Sequence, residues 1–169
     1  PHISVFLNIY PEHLDYYRNL DHILKTFEKY VSHLKRGGFL VANADDSNIS
    51  KIQKSLLLRQ PADSAGRQNS KSQFKTQNYT LDQKEADQIR RILKVPGEHN
   101  VSNALAALTV ARLLGVADKV SFKSLRQYRG VWRRFEFRKK INGAMIFDDY
   151  GHHPTEIAAL KCMDGRLNL

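Results

Sequence analysis

Hydrophobic residues near the start of the chain follow two different periods, which predict strands and a helix. Residues 3–9 form a short apolar run of the kind found in strands that are buried on both faces. Residues 19–35 place apolar side chains three or four positions apart, which predicts an amphipathic helix that is terminated at Gly37. A second apolar run at 39–44 predicts another buried strand. Strand, helix and strand in this order indicate a parallel sheet with a right-handed crossover.

The middle of the chain combines a polar stretch with three helical patterns. Residues 59–78 differ in character. Within them, residues 59–70 are polar without a period, so we expect a flexible surface excursion there and assign it no regular structure. Residues 80–93 return to a helical pattern, with Thr80 as the expected N-cap. Residues 98–114 are the most apolar helical stretch, and residues 121–128 predict another short helix.

The pattern changes again after Gly130, where two strand-like runs begin. They cover residues 132–141 and 144–149, and the two residues between them are Asn-Gly, the dipeptide typical of tight β-hairpin turns. We therefore predict a hairpin, and a domain boundary that separates residues 1–130 from residues 131–169.

The two ends of the chain lead us to expect that it is part of a longer protein. Position 1 is Pro rather than Met, and the first strand follows at once. Near the other end, residues 154–161 predict a helix that no further strand follows, although a helix after a strand usually leads to another strand in an α/β fold.

Composition and charge narrow the classes of protein that fit. The 169 residues include 27 Lys and Arg against 17 Asp and Glu, a net charge of +10. Such an excess indicates either an anionic partner or simply a basic surface. The one cysteine, Cys162, excludes an internal disulfide framework and favours the reducing cytoplasm. Because no apolar run approaches the roughly 20 residues of a membrane span, we expect no membrane contact.

A first candidate site follows the first predicted strand. Within residues 8–15, His13 lies between Glu12 and Asp15, and such a loop can hold a divalent cation beside a phosphate or position a water molecule. Alternatively, the two carboxylates cap a turn and His13 is an ordinary surface residue.

A second candidate site lies at the start of the most apolar helix. The spacing of His99, Asn100 and Asn103 allows them to share one face near a helix N-terminus, where anions are attracted. An asparagine amide can also donate to and accept from the edge of adenine. The alternative is that Asn100 or Ser102 is only the N-cap of this helix.

A third candidate site is the turn that follows the second hairpin strand. The polar side chains Asp148, Asp149, Tyr150, His152 and His153 come together at a predicted strand-to-helix junction. Placing them there exposes them all to one crevice. The histidine pair also suggests zinc, but no cysteine or third ligand lies nearby, which makes zinc the weaker interpretation.

A fourth stretch points to a different class of protein. Residues 126–140 mix seven basic side chains with four aromatic ones, as grooves for single-stranded nucleic acid do. Strand alternation offers a simpler interpretation, in which Phe135 and Phe137 point inward while Arg134 and the other charged residues point outward. We favour the simpler interpretation and expect no nucleic-acid partner.

Four strings of residues, at 8–15, 97–104, 133–136 and 148–156, resemble the Mur ligases in sequence and in order. The resemblance covers residues 3–46 and 95–160. It implies an α/β fold: a partial, parallel-sheet central domain followed by the start of a Rossmann-like C-terminal domain.

The resemblance also implies an ATP-dependent, amide-bond-forming ligase of peptidoglycan synthesis, with ATP and Mg²⁺ as cofactors. The string at 148–156 is most similar to the branch of the family that joins L-alanine to UDP-N-acetylmuramate through an acyl phosphate. A murein-peptide-recycling ligase and a degenerate, inactive relative remain open alternatives.

The resemblance implies functional roles for particular residues of this chain. His13 is similar to the magnesium ligand of the family, and the residues similar to its adenine contacts are His99, Asn100 and Asn103. Arg134, or else Arg133, is similar to the arginine near the phosphates, and Asp148 or Asp149 to the residue that contacts the ribose. The residues similar to those on the substrate side are Tyr150, His152 and His153, and the expected catalytic residues are Arg134 and His152. One departure is that no Gly-x-x-x-x-Gly-Lys-Ser/Thr loop occurs. We therefore expect that loop in a missing N-terminal part of the same enzyme, and no ligase activity from this chain alone.

Overall fold

The computed structural model describes residues 1–58, 74–152 and 154–161, and it confirms the predicted α/β class. The strands are β1 (Ile3–Phe6), β2 (Gly38–Asn43), β3 (Phe74–Tyr79), β4 (Glu136–Ile141) and β5 (Ala144–Asp148). The helices are α1 (Leu20–Val31), α2 (Ser47–Leu58), α3 (Glu85–Ile92), α4 (Glu98–Leu113), α5 (Asp118–Gln127) and α6 (Pro154–Lys161). No helix of this described part is both long and apolar enough to cross a membrane.

A three-stranded parallel sheet, in the order β1-β2-β3, forms the centre of the molecule. Its middle strand is buried on both faces, as the continuous apolar run predicts. Alternate residues serve the two faces: Leu40 packs into a cluster with α1 and α2, while Val41 packs into a second cluster with α3 and α4. Both side chains are fully buried, so each face of the sheet carries its own core.

The first helix ends earlier than its apolar pattern predicts. Asn19 caps α1 by accepting a hydrogen bond from His22, but the helix stops at Val31 rather than continuing to residue 35. The chain turns there so that Gly38 can lie against the start of β1. A Cβ added at Gly38 would come within 2.6 Å of the His2 carbonyl oxygen, so this close approach requires glycine.

The middle of the chain contains a strand that the sequence did not predict, and one prediction there is wrong. Phe74–Tyr79 form β3, while the expected surface excursion at 59–70 lies outside the described residues. As an edge strand, β3 leaves most of its side chains exposed, so it lacks the apolar pattern of β2. Thr80 does not cap a helix, because its hydroxyl donates to Asp45 at 2.6 Å and α3 begins only at Glu85.

Two further helices differ from the sequence prediction. No helix was predicted at α2, where Asp46 caps the first turn by accepting hydrogen bonds from the backbone of Asn48 and Ile49. Helix α5 begins at Asp118, three residues before its predicted start, and Asp118 pairs with Arg112 of α4.

The predicted hairpin is confirmed, with β4 and β5 antiparallel around a two-residue turn. Asn142 and Gly143 both have left-handed φ values, 49° and 88°, as such turns require. However, the first strand begins at Glu136 rather than 132. Arg133 and Phe135 also have left-handed φ values, 54° and 49°, which interrupt the extended backbone.

The predicted inward pairing of two phenylalanines is only half right. Phe135 stacks on Phe147, with ring centroids 4.4 Å apart. Phe137 contacts the same Phe147 ring, with centroids 5.6 Å apart, but remains 46% exposed. Helix α6 matches its prediction.

Candidate functional site

The carboxyl ends of the three parallel strands are tied together by two neighbouring carboxylates. Asp46 accepts a hydrogen bond from the backbone N–H of Ile9 at 3.1 Å, which fixes the loop after β1. Asp45 accepts from the Thr80 hydroxyl at 2.6 Å and from the Leu81 N–H at 2.8 Å, which fixes the segment after β3. This is the edge at which parallel α/β sheets place their ligands.

His13 lies on the loop after β1, where its side chain is exposed. Its backbone is left-handed, with φ 55°, and its carbonyl oxygen accepts hydrogen bonds from the N–H groups of Tyr16 and Tyr17. Within residues 1–58, 74–152 and 154–161, no group of three His, Cys, Asp or Glu side chains is placed to hold a metal ion.

The first turn of α4 places the three residues of the second candidate site. Gly97 is the N-cap, with φ 98°, and no side chain caps this helix. The alternative interpretation, that Asn100 or Ser102 is the N-cap, is therefore wrong. Asn100 instead donates from its amide nitrogen to the Pro96 carbonyl oxygen at 2.6 Å, which leaves its amide oxygen able to accept from another group.

A cavity of about 490 Å³ opens between α4 and α5. Asn100 and Asn103 supply amide groups to its wall. The rest of the wall is largely apolar and includes Leu93, Ala107, Leu125 and Tyr128. A largely apolar cavity with a few polar groups in its wall is the usual form of a small-molecule site.

His99 faces a different set of neighbours from those of the cavity. Burial lowers the pKa of the His99 imidazole below 6.5; the negative charge of Asp149 opposes this shift, and the positive charge of Arg134 adds to it. These electrostatic interactions show that the first turn of α4 lies close to both the 133–136 segment and the turn after β5. Three of the four strings singled out in the sequence therefore meet in space.

Asp149 joins the segment before the hairpin to the turn after it. One carboxylate oxygen accepts from the Phe135 N–H at 2.7 Å and the other from the Gly151 N–H at 2.6 Å. The Tyr150 N–H adds a hydrogen bond to the Arg133 carbonyl oxygen at 2.8 Å. The base of the hairpin is thus closed by backbone groups bonded to one side chain.

Asp148 has different partners from its neighbour. It pairs with Arg138 at 3.0 Å and with Arg133 at 3.6 Å, on the hairpin itself. The hydrogen bond from Arg138, chiefly, lowers the pKa of the Asp148 carboxyl. Of the two aspartates, it is Asp149 that interacts electrostatically with His99 of α4.

The two neighbouring arginines are also held differently. The Arg133 guanidinium lies 5.5 Å from the ring centroid of Trp132 and 5.2 Å from that of Tyr150. Arg134 pairs with Glu156 of α6 at 3.3 Å. Glu156 also accepts from the His152 backbone N–H at 3.2 Å, so one carboxylate holds both Arg134 and the turn that carries His152. His153 lies outside the described residues.

Sequence reasoning missed the wall of the cavity that α5 contributes. Leu125 and Tyr128 line it together with Leu93, which lies between α3 and α4. In the sequence, Tyr128 is one of the four aromatic residues of the basic stretch 126–140. Its position opposite α4 depends on how the helices pack, which no local pattern records.

Comparison with known proteins gives the same family as the four sequence strings. A model of the family described as "Mur ligase middle domain" matches residues 1–111. UDP-N-acetylmuramate–L-alanine ligase of Clostridium acetobutylicum is 37% identical over 94% of this chain and 36% of that protein.

Solved structures agree in fold. MurF from Acinetobacter baumannii matches with a TM-score of 0.70 at 21% identity, over 94% of this chain and 36% of that one. UDP-N-acetylmuramate–alanine ligase MurC from Thermotoga maritima matches with a TM-score of 0.66 at 25% identity, over 99% of this chain and 39% of that one.

The chain spans little more than a third of the length of the curated relatives that it matches. The family model, however, covers 111 of its 169 residues. These findings confirm the resemblance on which the sequence interpretation rests: the chain belongs to the Mur ligase family, and its residues 1–111 match the middle domain of that family.

Proposed function

We propose that this chain carries the adenine-nucleotide site of an ATP-dependent ligase that joins L-alanine to UDP-N-acetylmuramate. The observation that carries the proposal is the cavity between α4 and α5, whose wall includes the amide side chains Asn100 and Asn103. Asn100 directly follows His99, which interacts with Asp149 and Arg134.

The chemistry of the cavity suits a purine base. Adenine has apolar faces and an edge that both donates and accepts hydrogen bonds, and an asparagine amide complements that edge. The largely apolar wall, with Leu93 and Tyr128, suits the faces of the ring. Asn100 and Asn103 are the residues that we assign to the base, with His99 beside them.

The neighbouring cluster suits the rest of a nucleotide. Asp149 is our candidate for the ribose hydroxyl groups because it interacts electrostatically with His99 of α4, whereas Asp148 pairs with Arg138. Arg134 is a candidate for the phosphates, since a guanidinium stabilises negative charge during phosphoryl transfer.

The two substrates belong on the side of the turn after β5. ATP supplies the phosphoryl group that activates the muramyl carboxylate for attack by the amino group of L-alanine. Tyr150 and His152, both exposed on this turn, are our candidates for contacts with these substrates, as is His153 from its place in the sequence. Magnesium binding by His13 stays a prediction, and no step of the proposed reaction depends on it.

The names of the relatives favour alanine addition over murein-peptide recycling. Eight curated relatives that are 34–39% identical to this chain all carry the name UDP-N-acetylmuramate–L-alanine ligase. A ligase of this kind works on soluble nucleotide-linked substrates, so we place it in the cytoplasm.

Isothermal titration calorimetry of the chain with ATP and GTP tests the adenine site. We expect preference for ATP, and Asn103→Ala should weaken ATP binding roughly tenfold, since a good amide–base pair contributes about 1–3 kcal/mol of discrimination. Gln88→Ala, on the exposed surface of α3, is the control and should leave the affinity unchanged. Equal binding of ATP and GTP, or an unaffected Asn103→Ala variant, would contradict the proposal.

Ligase activity requires a separate assay. We expect no alanine-dependent formation of ADP from ATP and UDP-N-acetylmuramate by the chain alone, because the sequence has no Gly-rich loop with Lys-Ser/Thr for the phosphates. Turnover in that assay would show that this expectation is wrong.

A further inference from the structure

An ion pair outside the cavity links the last turn of α3 to the first turn of α4. The Arg90 Nε atom lies 3.1 Å from each carboxylate oxygen of Glu98, and one terminal nitrogen lies 2.8 Å from Oε2. The other terminal nitrogen contacts Asp87 at 2.7 Å. The hydrogen bonds to Glu98 chiefly raise the pKa of the Arg90 guanidinium above its ordinary value. One arginine therefore holds two carboxylates.

Glu98 belongs to the same helical turn as the residues of the proposed nucleotide site. It directly precedes His99 and lies two positions before Asn100, which lines the cavity. At about 100° per residue, these two positions place Glu98 and Asn100 on roughly opposite sides of α4. Arg90 thus holds the Glu98 carboxylate on the α3 side of the turn, away from the cavity.

The charge of Glu98 is unfavourable for the ligand that we assign to this turn. Nucleotides carry several negative charges, and a carboxylate near them lowers affinity unless a cation offsets it. The backbone N–H groups at the start of α4 favour anions, but an uncompensated carboxylate would reduce that advantage.

We propose that Arg90 is a positioning residue of the nucleotide site, because its bidentate contact with Glu98 offsets a negative charge on the first turn of α4 and so allows that turn to accept an anionic nucleotide. This inference rests on the adenine-nucleotide site proposed above. It extends that proposal to a residue of α3 that does not line the cavity and that no sequence motif singled out.

The chain offers a matched control at the other end of α4. Arg112 contacts Glu85 at 2.8 Å and Asp118 at 2.7 Å, so, like Arg90, it holds two carboxylates, here on α3 and α5. It lies in the last turn of this 16-residue helix, about 20 Å from the first turn. Its removal should affect packing without affecting the charge near the nucleotide.

The test is a double-mutant cycle on the full chain, with dissociation constants for ATP and uncharged adenosine measured by calorimetry at low salt. Arg90→Met should weaken ATP binding roughly three- to tenfold but adenosine binding less than about twofold, because only ATP carries charge. Glu98→Gln, and the double variant Arg90→Met/Glu98→Gln, should bind ATP like the wild type. Arg112→Met should leave both affinities unchanged.

Three results would overturn the inference. Glu98→Gln could weaken ATP binding as much as Arg90→Met does, the double variant could fail to recover, or adenosine could lose as much affinity as ATP. Each would show that the ion pair only supports the fold. If the wild type binds neither ATP nor adenosine, the proposed adenine site itself fails, together with this inference. If it binds both and the charge pattern is absent, only the role of Arg90 is refuted.

Discussion

The parallel sheet and the hairpin of this chain are stabilised by different interactions. Around β1, β2 and β3, two clusters of apolar side chains are almost completely excluded from solvent. Among the described residues after Gly130, no side chain is fully buried. The hairpin depends instead on a stacked phenylalanine pair, on the hydrogen bonds of Asp149, and on the pairs of Asp148 with Arg133 and Arg138.

Because of this difference, the two halves of the proposed site belong to regions of unequal stability. The first turn of α4 is anchored in the apolar cluster that α3 and α4 form against the sheet, because Val101, Ala104 and Leu105 are buried there. The residues that approach this turn from the other side, Arg134 and Asp149, belong to the region without a core of its own. We infer that one half of the proposed site is rigid and that the other half can shift at modest cost, since a two-stranded hairpin alone is marginally stable.

The largest effect should come from the core of the sheet region. Leu105→Ala removes a fully buried side chain and should lower the free energy of unfolding by about 2–5 kcal/mol. Leu114→Ala, at a position that is 67% exposed at the end of the same helix, should change it by less than about 0.5 kcal/mol. Urea denaturation followed by circular dichroism measures both. Similar losses in the two variants would refute the contrast between buried and exposed positions.

A smaller, local effect is expected at the base of the hairpin. Asp149→Ala removes the acceptor for the Phe135 and Gly151 N–H groups, which should favour opening of the hairpin by about 1–3 kcal/mol. Hydrogen exchange should therefore accelerate in β4 and β5 and remain unchanged in β2. Asp148→Ala is the control, with a weaker expected effect. Acceleration throughout the sheet would show that the two regions unfold as one unit.

His99 should make the contact between the two regions dependent on pH. Its pKa in the folded chain is lower than the ordinary 6.5, so protonation favours the unfolded or separated state. The stabilisation is complete above pH 6.5 and is lost as the pH falls towards and through the lowered pKa. NMR shifts of Gly151 and Asp149 between pH 8 and pH 5 should report this loss, and His99→Gln should abolish it. An identical titration in that variant would assign the effect to another group.

The smallest effect should come from the exposed ion pairs of the hairpin. The pKa of Asp148 is lower than the ordinary 3.8, mainly because Arg138 donates to it. Its contribution is therefore present above pH 3.8 and is lost as the pH falls further. Salt should weaken it as well, because exposed charges are screened. Amide exchange in β5 at pH 5 and pH 3 measures the change, and Arg138→Met should reduce it. A hairpin that is insensitive to acid and to salt would show that aromatic stacking alone holds it.

Local sequence by itself determined the elements whose cause is local. The apolar run at 39–44 produced β2 because a strand buried on both faces needs apolar residues throughout, and Asn142-Gly143 produced the hairpin turn because both positions require left-handed backbone. The strings of the family resemblance also contain His99, Asn103 and Asp149, of which Asn103 lines the cavity and Asp149 interacts electrostatically with His99.

Only the tertiary structure decided the features that depend on distant partners. Strand β3 is polar and exposed, so its place in the sheet depends on pairing with β2 rather than on its own pattern. Thr80 became a partner of Asp45 instead of a helix cap because the strand ends meet at one edge. The cavity, the separate partners of Asp148 and Asp149, and the contact of Arg90 with Glu98 all join residues from different elements. Distances of this kind follow from packing, and packing is a property of the whole chain rather than of any segment.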